Sequence, residues 1–306
     1  MAPSNEAEYL VNLFKTISQI TPSDGNIALE RATYESVTTA ASEVPDVSYE
    51  DIKISDVQRG PAKLVKPIGA SKKHAILFMH GGGYSFGSLD SHRKLCAHLA
   101  HSCNTLALMV DYRLTPEHPY PAALDDCVAA YEWLVKQGFE GKNIITCGDS
   151  CGGGLTTTVS LKVLRDGLPR PGAAISLSPW YDVACKDSPS LTKAKNDALG
   201  TMEGMYKIRD RYCVGVHPSD PLISATSASN EELSKLQPHW ISCAGYDMLL
   251  DDGVRMAEKL QKAGVETVLK VHPEMQHVFE FMAGRAPESD ASIKEIGVWV
   301  RKTVGS

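Results

Sequence analysis

The chain has 306 residues, of which 43% are hydrophobic, and this composition supplies a large apolar core. Its 31 Lys and Arg residues against 37 Asp and Glu residues give a formal net charge of −6, which argues against a nucleic-acid or anionic-membrane partner. The eight cysteines are scattered and include no Cys-x-x-Cys pair, so we expect free thiols rather than disulfides.

The first residues of the chain lack the positive region and apolar core of a secretory signal. No apolar run approaches the length needed to cross a membrane. We therefore expect a cytoplasmic protein without a membrane span or a nucleic-acid partner. The sequence leaves homo-oligomerisation open.

The N-terminal part predicts two helices followed by strands. Apolar side chains recur at helical spacing over residues 9–20, and residues 28–41 form a second helical stretch. Residues 51–57 and 62–66 have the pattern of opening strands. Strand-like and helix-like segments then alternate, which predicts an α/β fold with a mainly parallel sheet covered by helices.

A glycine-rich loop, His80-Gly81-Gly82-Gly83-Tyr84, directly follows the buried-strand pattern at residues 75–79. Backbone N–H groups held about 2.7–3.1 Å from a developing oxyanion can remove several kcal/mol from the barrier to acyl transfer. We predict oxyanion donors at Gly82 and Gly83, with Tyr84 as a candidate substrate contact. The alternative of a phosphate-binding loop lacks both the dinucleotide and the P-loop patterns.

The segment Gly148-Asp149-Ser150-Cys151-Gly152 lies between an apolar run at residues 143–147 and a helix-like segment at residues 153–161. A sharp turn from strand to helix needs small residues two positions before and after its apex, and the apex hydroxyl then projects above the sheet edge. Such a short pattern also occurs by chance in glycine-rich turns, but its position between strand and helix favours a nucleophile elbow. We predict Ser150 as the nucleophile and the N–H of Cys151 as a further oxyanion donor.

A long insertion separates the predicted strand at residues 173–178 from the next one. Residues 185–237 have no clear strand pattern and carry methionines and tyrosines at helix-like spacing. So long an excursion between core strands usually covers a site. Met205 and Tyr206 are candidate substrate contacts, although such side chains also pack the small core of an insertion.

A serine nucleophile of this kind works with a histidine base and an acid that orients the histidine. Three carboxylates follow the strand pattern at residues 239–245 and are candidates for that acid. Asp247 comes first, on the loop. Asp251 and Asp252 lie where the next helix favours negative charge at its N-terminus. We favour Asp247.

Two histidines follow the strand pattern at residues 267–271 and compete for the role of the base. His272 lies at the strand end, whereas His277 lies in a longer loop that can reach over the sheet edge. We favour His277, because a general base needs reach as well as a near-neutral pKa. His98 and His101 lie three apart on a helical pattern but lack the further ligands that a metal site needs.

Together these motifs resemble the hormone-sensitive lipase family of α/β-hydrolases, which contains many bacterial and fungal carboxylesterases. They occur in the order typical of that family from about residue 75 to the C-terminus. The matching segments are His80-Gly81-Gly82-Gly83, residues 111–126 (DYRLTPEHPYPAALDD), Gly148-Asp149-Ser150-Cys151-Gly152, Asp247-Met248-Leu249-Leu250-Asp251-Asp252 and His277-Val278-Phe279.

The resemblance implies a catalytic triad of Ser150, Asp247 and His277. It also implies a division of the chain into a core and a helical cap over the serine. The expected segments are residues 1–45 (N-terminal helices of the cap), 46–184 (first part of the core), 185–237 (cap insertion) and 238–306 (second part of the core).

Two positions depart from the family pattern. Cys151 stands where alanine is usual, and Met248 stands where proline or a similar residue is usual. Only the backbone N–H of Cys151 is required, so the oxyanion assignment is unaffected. Thiol sensitivity is left open.

These features predict a serine carboxylesterase that cleaves small, fairly apolar esters through an acyl-enzyme, with no metal and no cofactor. The insertion is rich in methionine and tyrosine, and no dedicated cationic clamp is evident. An amidase, a lactonase or a deacetylase of a secondary metabolite would use the same triad. A non-catalytic small-molecule receptor is a further alternative, since plant gibberellin receptors resemble this family but lack its histidine; His277 argues against it.

Overall fold

One eight-stranded sheet forms the centre of the protein, for which a computed structural model describes residues 3–20, 26–186 and 196–305. Its strands are β1 (Val47–Ile52), β2 (Ala62–Pro67), β3 (Ser71–Met79), β4 (Thr105–Met109), β5 (Ile144–Asp149), β6 (Ala173–Leu177), β7 (His239–Ala244) and β8 (Thr267–His272). Their order is β1-β2-β4-β3-β5-β6-β7-β8. The pairs β1–β2 and β2–β4 are antiparallel and the other neighbours are parallel, which confirms the predicted mainly parallel sheet.

Helices cover both faces of this sheet. They are α1 (Ala7–Ile20), α2 (Ile27–Tyr34), α3 (Leu89–Cys103), α4 (Ala122–Lys136), α5 (Cys151–Arg165), α6 (Met202–Tyr212), α7 (Asn230–Leu233), α8 (Leu250–Lys262) and α9 (Pro287–Val304). Short 3₁₀ turns occur at Glu35–Thr39, Gly141–Asn143, Ala225–Ser227 and Phe279–Met282.

Alternate side chains of the central strands enter two separate cores, because successive side chains of a strand point to opposite faces. In β3, Ala75, Leu77 and Met79 join the core formed with α4, α5 and α8. Ile76 and Phe78 join the core formed with α1, α3 and α9. Burial on both faces explains why the central strands are continuous apolar runs in the sequence.

The first predicted strand is displaced from its actual position. The sequence pattern predicts a strand at residues 51–57, but β1 ends at Ile52. A turn follows, in which the Val57 N–H donates to the Ile54 carbonyl at 3.2 Å. Ile54 and Val57 are both buried. Their apolar side chains therefore mark a turn packed on the core and not a strand.

The carboxyl ends of the parallel strands lie at one edge of the sheet, where ligands bind in open α/β sheets. The glycine loop follows β3 at this edge, and Ser150 follows β5. Asp247 follows β7 and His277 follows β8. The topology thus brings four distant chain segments together.

The connection from β6 to β7 contains no strand in its described parts, residues 178–186 and 196–238. Helix α6 begins there at Thr201, whose side chain accepts the Gly204 N–H at 3.1 Å. Part of the predicted insertion, residues 187–195, lies outside the described residues. No helix in the described part of the chain has the length and apolarity to cross a membrane.

Candidate active site

Ser150 occupies the apex of a tight turn between β5 and α5. Its backbone has φ 54° and ψ −122°, an unfavourable conformation for a residue with a side chain. A side chain at Gly148 or Gly152 would collide with the Met79 carbonyl oxygen. The two flanking glycines are therefore required by the close approach of β3, as the sequence pattern predicts.

The glycine loop after β3 turns back on itself beside Ser150. Gly82 and Gly83 have φ values of +108° and +58°, and both border the same cavity as Ser150. An added side chain at Gly82 would lie 2.5 Å from the Phe86 carbonyl oxygen, and one at Gly83 would lie 2.9 Å from Ile208. The loop is thus compatible only with glycine at these two positions.

The side chain of Cys151 packs against this glycine loop. Its sulfur accepts the Tyr84 N–H at 3.2 Å and lies 3.8 Å from the Tyr112 hydroxyl. The side chain is fully buried, and burial raises the pKa of its thiol to about 12. The thiol is therefore a structural contact of the glycine loop.

A buried Asp–His pair connects the elbow to the glycine loop, and the sequence motifs did not single it out as a unit. Asp149 accepts the Gly81 N–H at 3.1 Å through one oxygen and lies 3.2 Å from His92 Nε2 through the other. The other nitrogen of His92 lies 2.8 Å from the Ser91 hydroxyl. Because Asp149 immediately precedes Ser150, one carboxylate links the elbow to the loop.

Asp247 and His277 lie in direct contact. His277 Nδ1 is 2.7 Å from one Asp247 oxygen, and the other oxygen accepts the Leu249 N–H at 2.8 Å. Burial alone would lower the pKa of His277, but the charge of Asp247 and its hydrogen bond raise it to about 9. Both side chains are buried, which makes their mutual orientation well defined.

The competing candidates lie elsewhere. Asp252 is buried, accepts the Asp182 N–H at 2.9 Å and pairs with Arg255 at 2.6 Å; burial raises its pKa to about 7. Neither Asp251 nor Asp252 borders the cavity that contains Ser150. His272 packs against Phe279 with its ring tilted and 4.6 Å between the ring centroids, and it is also absent from the cavity wall.

The histidines at positions 98 and 101 carry no metal-site geometry in the structure. His98 Nε2 lies 3.1 Å from the Ser42 carbonyl oxygen. In residues 3–20, 26–186 and 196–305, no group of three or more His, Cys, Asp or Glu side chains is arranged to hold a metal ion.

A cavity of about 420 Å³ contains Ser150, Asp247 and His277 in its wall. Met205 of α6 also borders it, together with residues of the N-terminal helices α1 and α2. Met205 therefore lies in the cavity wall, and its role as a substrate contact stays a prediction.

The other two predicted substrate contacts, Tyr84 and Tyr206, do not border this cavity. Tyr84 is 1% exposed and stacks on Tyr212 with 3.7 Å between the ring centroids, so it packs the interior. Tyr206 is 39% exposed, lies under the guanidinium of Arg209 and does not border the cavity. Helical periodicity alone could not separate Tyr206 from Met205, which lies one position earlier on a different face.

Two cationic side chains that the sequence did not indicate lie in the cavity wall. Arg211 and Lys207 of α6 both pair with the buried Glu30 of α2, at 2.7 and 3.5 Å. The hydrogen bond from Arg211, more than any other contact, lowers the pKa of Glu30. These charges hold α2 against α6, so the cations already have a partner within the protein.

Comparison with known proteins places these features in context. A family model described as the α/β-hydrolase fold matches residues 76–281. An acetyl-hydrolase of Streptomyces hygroscopicus is 35% identical over 231 residues, covering 75% of this chain and 76% of its own length. An ethyl acetate hydrolase of Pseudomonas putida is 34% identical over 226 residues, 72% of this chain and 70% of its own. A crystal structure of an esterase from the bacterial hormone-sensitive lipase family superposes with a TM-score of 0.92 at 33% identity, over 100% of both chains.

Proposed function

Since the chain belongs to the hormone-sensitive lipase family of α/β-hydrolases and is a carboxylester hydrolase, we propose that Ser150 is its nucleophile, His277 its general base and Asp247 its orienting acid. One observation carries this assignment. The three side chains border a single cavity, in which His277 Nδ1 lies 2.7 Å from Asp247.

In the proposed reaction the Ser150 hydroxyl attacks the ester carbonyl carbon while His277 accepts its proton. The tetrahedral intermediate collapses as His277 protonates the leaving alcohol, and an acyl-enzyme remains on Ser150. Water then attacks the acyl carbon and gives its proton to His277, which passes that proton to Ser150 Oγ as the acyl–Oγ bond breaks and the carboxylic acid leaves. Asp247 holds the imidazole in the required tautomer throughout and stabilises its charged form.

We assign the oxyanion hole to the N–H groups of Gly82, Gly83 and Cys151. Gly82 and Gly83 border the cavity, and Cys151 begins α5 directly after Ser150. Preorganised donors of this kind act on the charge that develops in the transition state. Asp149 supports the arrangement, because it ties Gly81 to the elbow.

Small esters with short acyl groups are the substrates that we propose. Two relatives are named an acetyl-hydrolase and an ethyl acetate hydrolase. A cavity of about 420 Å³ is at the small end of the range for ligand pockets. Among the residues that the structure describes, the two cations in this cavity wall, Arg211 and Lys207, are paired with Glu30 and so are not dedicated to binding a negative charge on the substrate.

We further propose that residues 1–45 and 185–237 form a cap over a catalytic core made by residues 46–184 and 238–306. Helices α1, α2 and α6 contribute to the cavity wall, which supports this division. Free thiols at all eight cysteines support a reducing, cytoplasmic location. The net charge of −6 supports the absence of a nucleic-acid partner.

The decisive experiment compares Ser150→Ala with wild-type enzyme on p-nitrophenyl esters of graded acyl length. We expect the variant to fold normally by circular dichroism and to lose turnover for every ester. Ser18→Ala is the matched control, because Ser18 also borders the cavity but is exposed on α1. Substantial activity in folded Ser150→Ala would refute the assignment.

The same panel includes amides and lactones of matching acyl groups, which separates the proposed esterase from the alternatives that share its triad. Preferred cleavage of an amide or a lactone over every ester would replace the substrate class but not the nucleophile.

A further inference from the structure

A short segment joins the insertion to the loops that carry Asp247 and His277. Residues 196–200, here called the strap, lead directly into α6 and border the catalytic cavity through Asp197. One Asp197 oxygen accepts the Met248 N–H at 3.0 Å. Met248 is the residue after Asp247. This bond therefore holds the backbone of the loop that carries Asp247, here called the acid loop.

The other Asp197 oxygen forms hydrogen bonds within the strap. It accepts the N–H groups of Leu199 at 2.8 Å and Gly200 at 3.0 Å. A side chain at Gly200 would collide with the sulfur of Met248, so the strap and the acid loop are in close contact. The carboxylate thus has a fixed position beside the triad.

Gln276 also bonds the strap to the loop that carries His277, here called the base loop. Its side-chain oxygen accepts the Ala198 N–H at 2.9 Å, and its side-chain nitrogen donates to the Asn196 carbonyl at 2.9 Å. Gln276 immediately precedes His277. The strap is therefore bonded to the neighbours of both Asp247 and His277.

We propose that Asp197 is a positioning residue of the triad, whose carboxylate anchors the acid loop at Met248 and adds a second negative charge that stabilises protonated His277. The inference rests on the proposed roles of Ser150, Asp247 and His277. Asp197 itself touches no reacting atom.

Three carboxylates from three elements act on His277. They are Asp247 on the loop after β7, Asp197 on the strap and Asp149 at the end of β5. Each of them raises the pKa of His277, against the opposing effect of burial. Burial, followed by the charge of Asp247, raises the pKa of Asp197. The carboxylates at 197 and 247 therefore interact with each other as well as with the imidazole.

The sign of the expected effect follows from these charges. His277 acts as a base only when neutral, so kcat/KM falls as the pH drops through its pKa. Removing the Asp197 charge destabilises the protonated imidazole and lowers that pKa. The acid limb of the pH profile should then move to lower pH.

The test uses Asp197→Asn, which removes the charge and, with its single amide oxygen, keeps only the bonds that one of the two Asp197 oxygens accepts. We expect its acid limb to move down by about half a pH unit or more. Asp197→Glu should retain a limb close to that of wild type even if its rate is lower. Asp210→Asn is the matched control, because Asp210 is an exposed carboxylate of α6 that does not border the cavity.

Gln276→Ala separates anchoring from charge. It removes both bonds to the strap without altering a charge, so kcat should fall while the acid limb stays in place. If Gln276→Ala shifted the limb as far as Asp197→Asn, the effect would be structural and the electrostatic role of Asp197 would be overturned.

The rate of Ser150 phosphonylation by a fluorophosphonate, followed by intact mass against pH, gives the same limb without a chosen substrate. Failure of wild-type enzyme to label at Ser150 would refute the proposed function. Labelling at Ser150 with an unshifted limb in Asp197→Asn would refute only the role of Asp197.

Discussion

Asp247 is bonded through both of its oxygens, one to His277 Nδ1 and the other to the Leu249 N–H. Neither oxygen can rotate away without losing a bond inside a buried site. Its carboxylate can therefore favour the tautomer of His277 that carries a hydrogen on Nδ1 and leaves Nε2 free to accept a proton.

Asp247→Asn should lower kcat by about 10⁴-fold while the protein stays folded, because an amide permits the wrong histidine tautomer. Steady-state kinetics on a short-chain ester measures the loss. Asp251→Asn is the matched control, because Asp251 lies in the first turn of α8, the helix that follows the loop of Asp247. It should cost only about 0.3–1 kcal/mol of stability through the charge at the start of α8, measured by urea unfolding. The opposite ranking would move the acid to Asp251.

At the scale of elements, helices α2 and α6 are joined across the cavity by the ion pairs of Glu30 with Arg211 and Lys207. Glu30 is only 4% exposed, so leaving it without partners would be costly. Helix α6 is thereby held with Met205 and Ile208 in the cavity wall and with Tyr206 outside it. The orientation of this helix decides which of its apolar residues border the cavity.

Met205→Ala should change the preferred acyl length, because it enlarges the cavity wall, whereas Tyr206→Ala on the same helix should leave the profile unchanged. The expected discrimination is about 1–3 kcal/mol per methylene of substrate, measured as ratios of kcat/KM over the acyl panel. An unchanged profile in Met205→Ala would place the selectivity pocket elsewhere.

A change in the glycine loop after β3, which we propose as part of the oxyanion hole, should behave differently from a change in α6. Gly82→Val would force a side chain against the Phe86 carbonyl and displace the loop. We expect a loss of about 10²–10³-fold for every ester alike. A selective loss for long acyl groups would instead indicate that the loop shapes the acyl pocket.

For the whole molecule, the distribution of thiols follows from the two cores on either side of the sheet. All eight cysteines are free; six are buried, and Cys185 and Cys213 are partly exposed. Cys151 is buried against the glycine loop after β3, where its sulfur accepts the Tyr84 N–H, and burial raises the pKa of its thiol to about 12. The thiolate is the reactive form of cysteine. Burial therefore protects Cys151 in two ways: it keeps reagents away from the sulfur, and it raises the pKa so that little thiolate forms.

The native enzyme should therefore react with at most two equivalents of a thiol reagent and keep its activity, whereas unfolded protein should react with eight. Absorbance titration with and without guanidinium measures both numbers. Cys151→Ala is the control: inactivation of wild-type enzyme but not of this variant would show that the thiol beside Ser150 is accessible.

Local features of the site could be predicted from the sequence. Gly148, Gly152 and the glycine loop are required by short-range sterics that any chain with this strand-to-helix turn must satisfy. Their order along the chain, followed by Asp247 and His277, was enough to predict the fold and the family, and both predictions are confirmed. The triad roles stay predictions until the variants are measured.

Other features depended on the tertiary structure, because they join residues that are far apart in the sequence. Helical spacing predicted the helix that contains Met205 and Tyr206, but only packing against α2 decided which of them borders the cavity. Tyr84 directly follows Gly82 and Gly83, yet it is buried and stacks on Tyr212.

The sequence by itself therefore determined the family, the α/β fold and the motifs whose geometry is set within a few residues. The tertiary structure alone decided the wall of the cavity, the link between Asp149 and His92 and the attachment of Asp197 to the acid loop. The physical reason is range: backbone sterics act between chain neighbours, whereas cavity shape, buried charge pairing and the basicity of His277 arise from segments that only folding brings together.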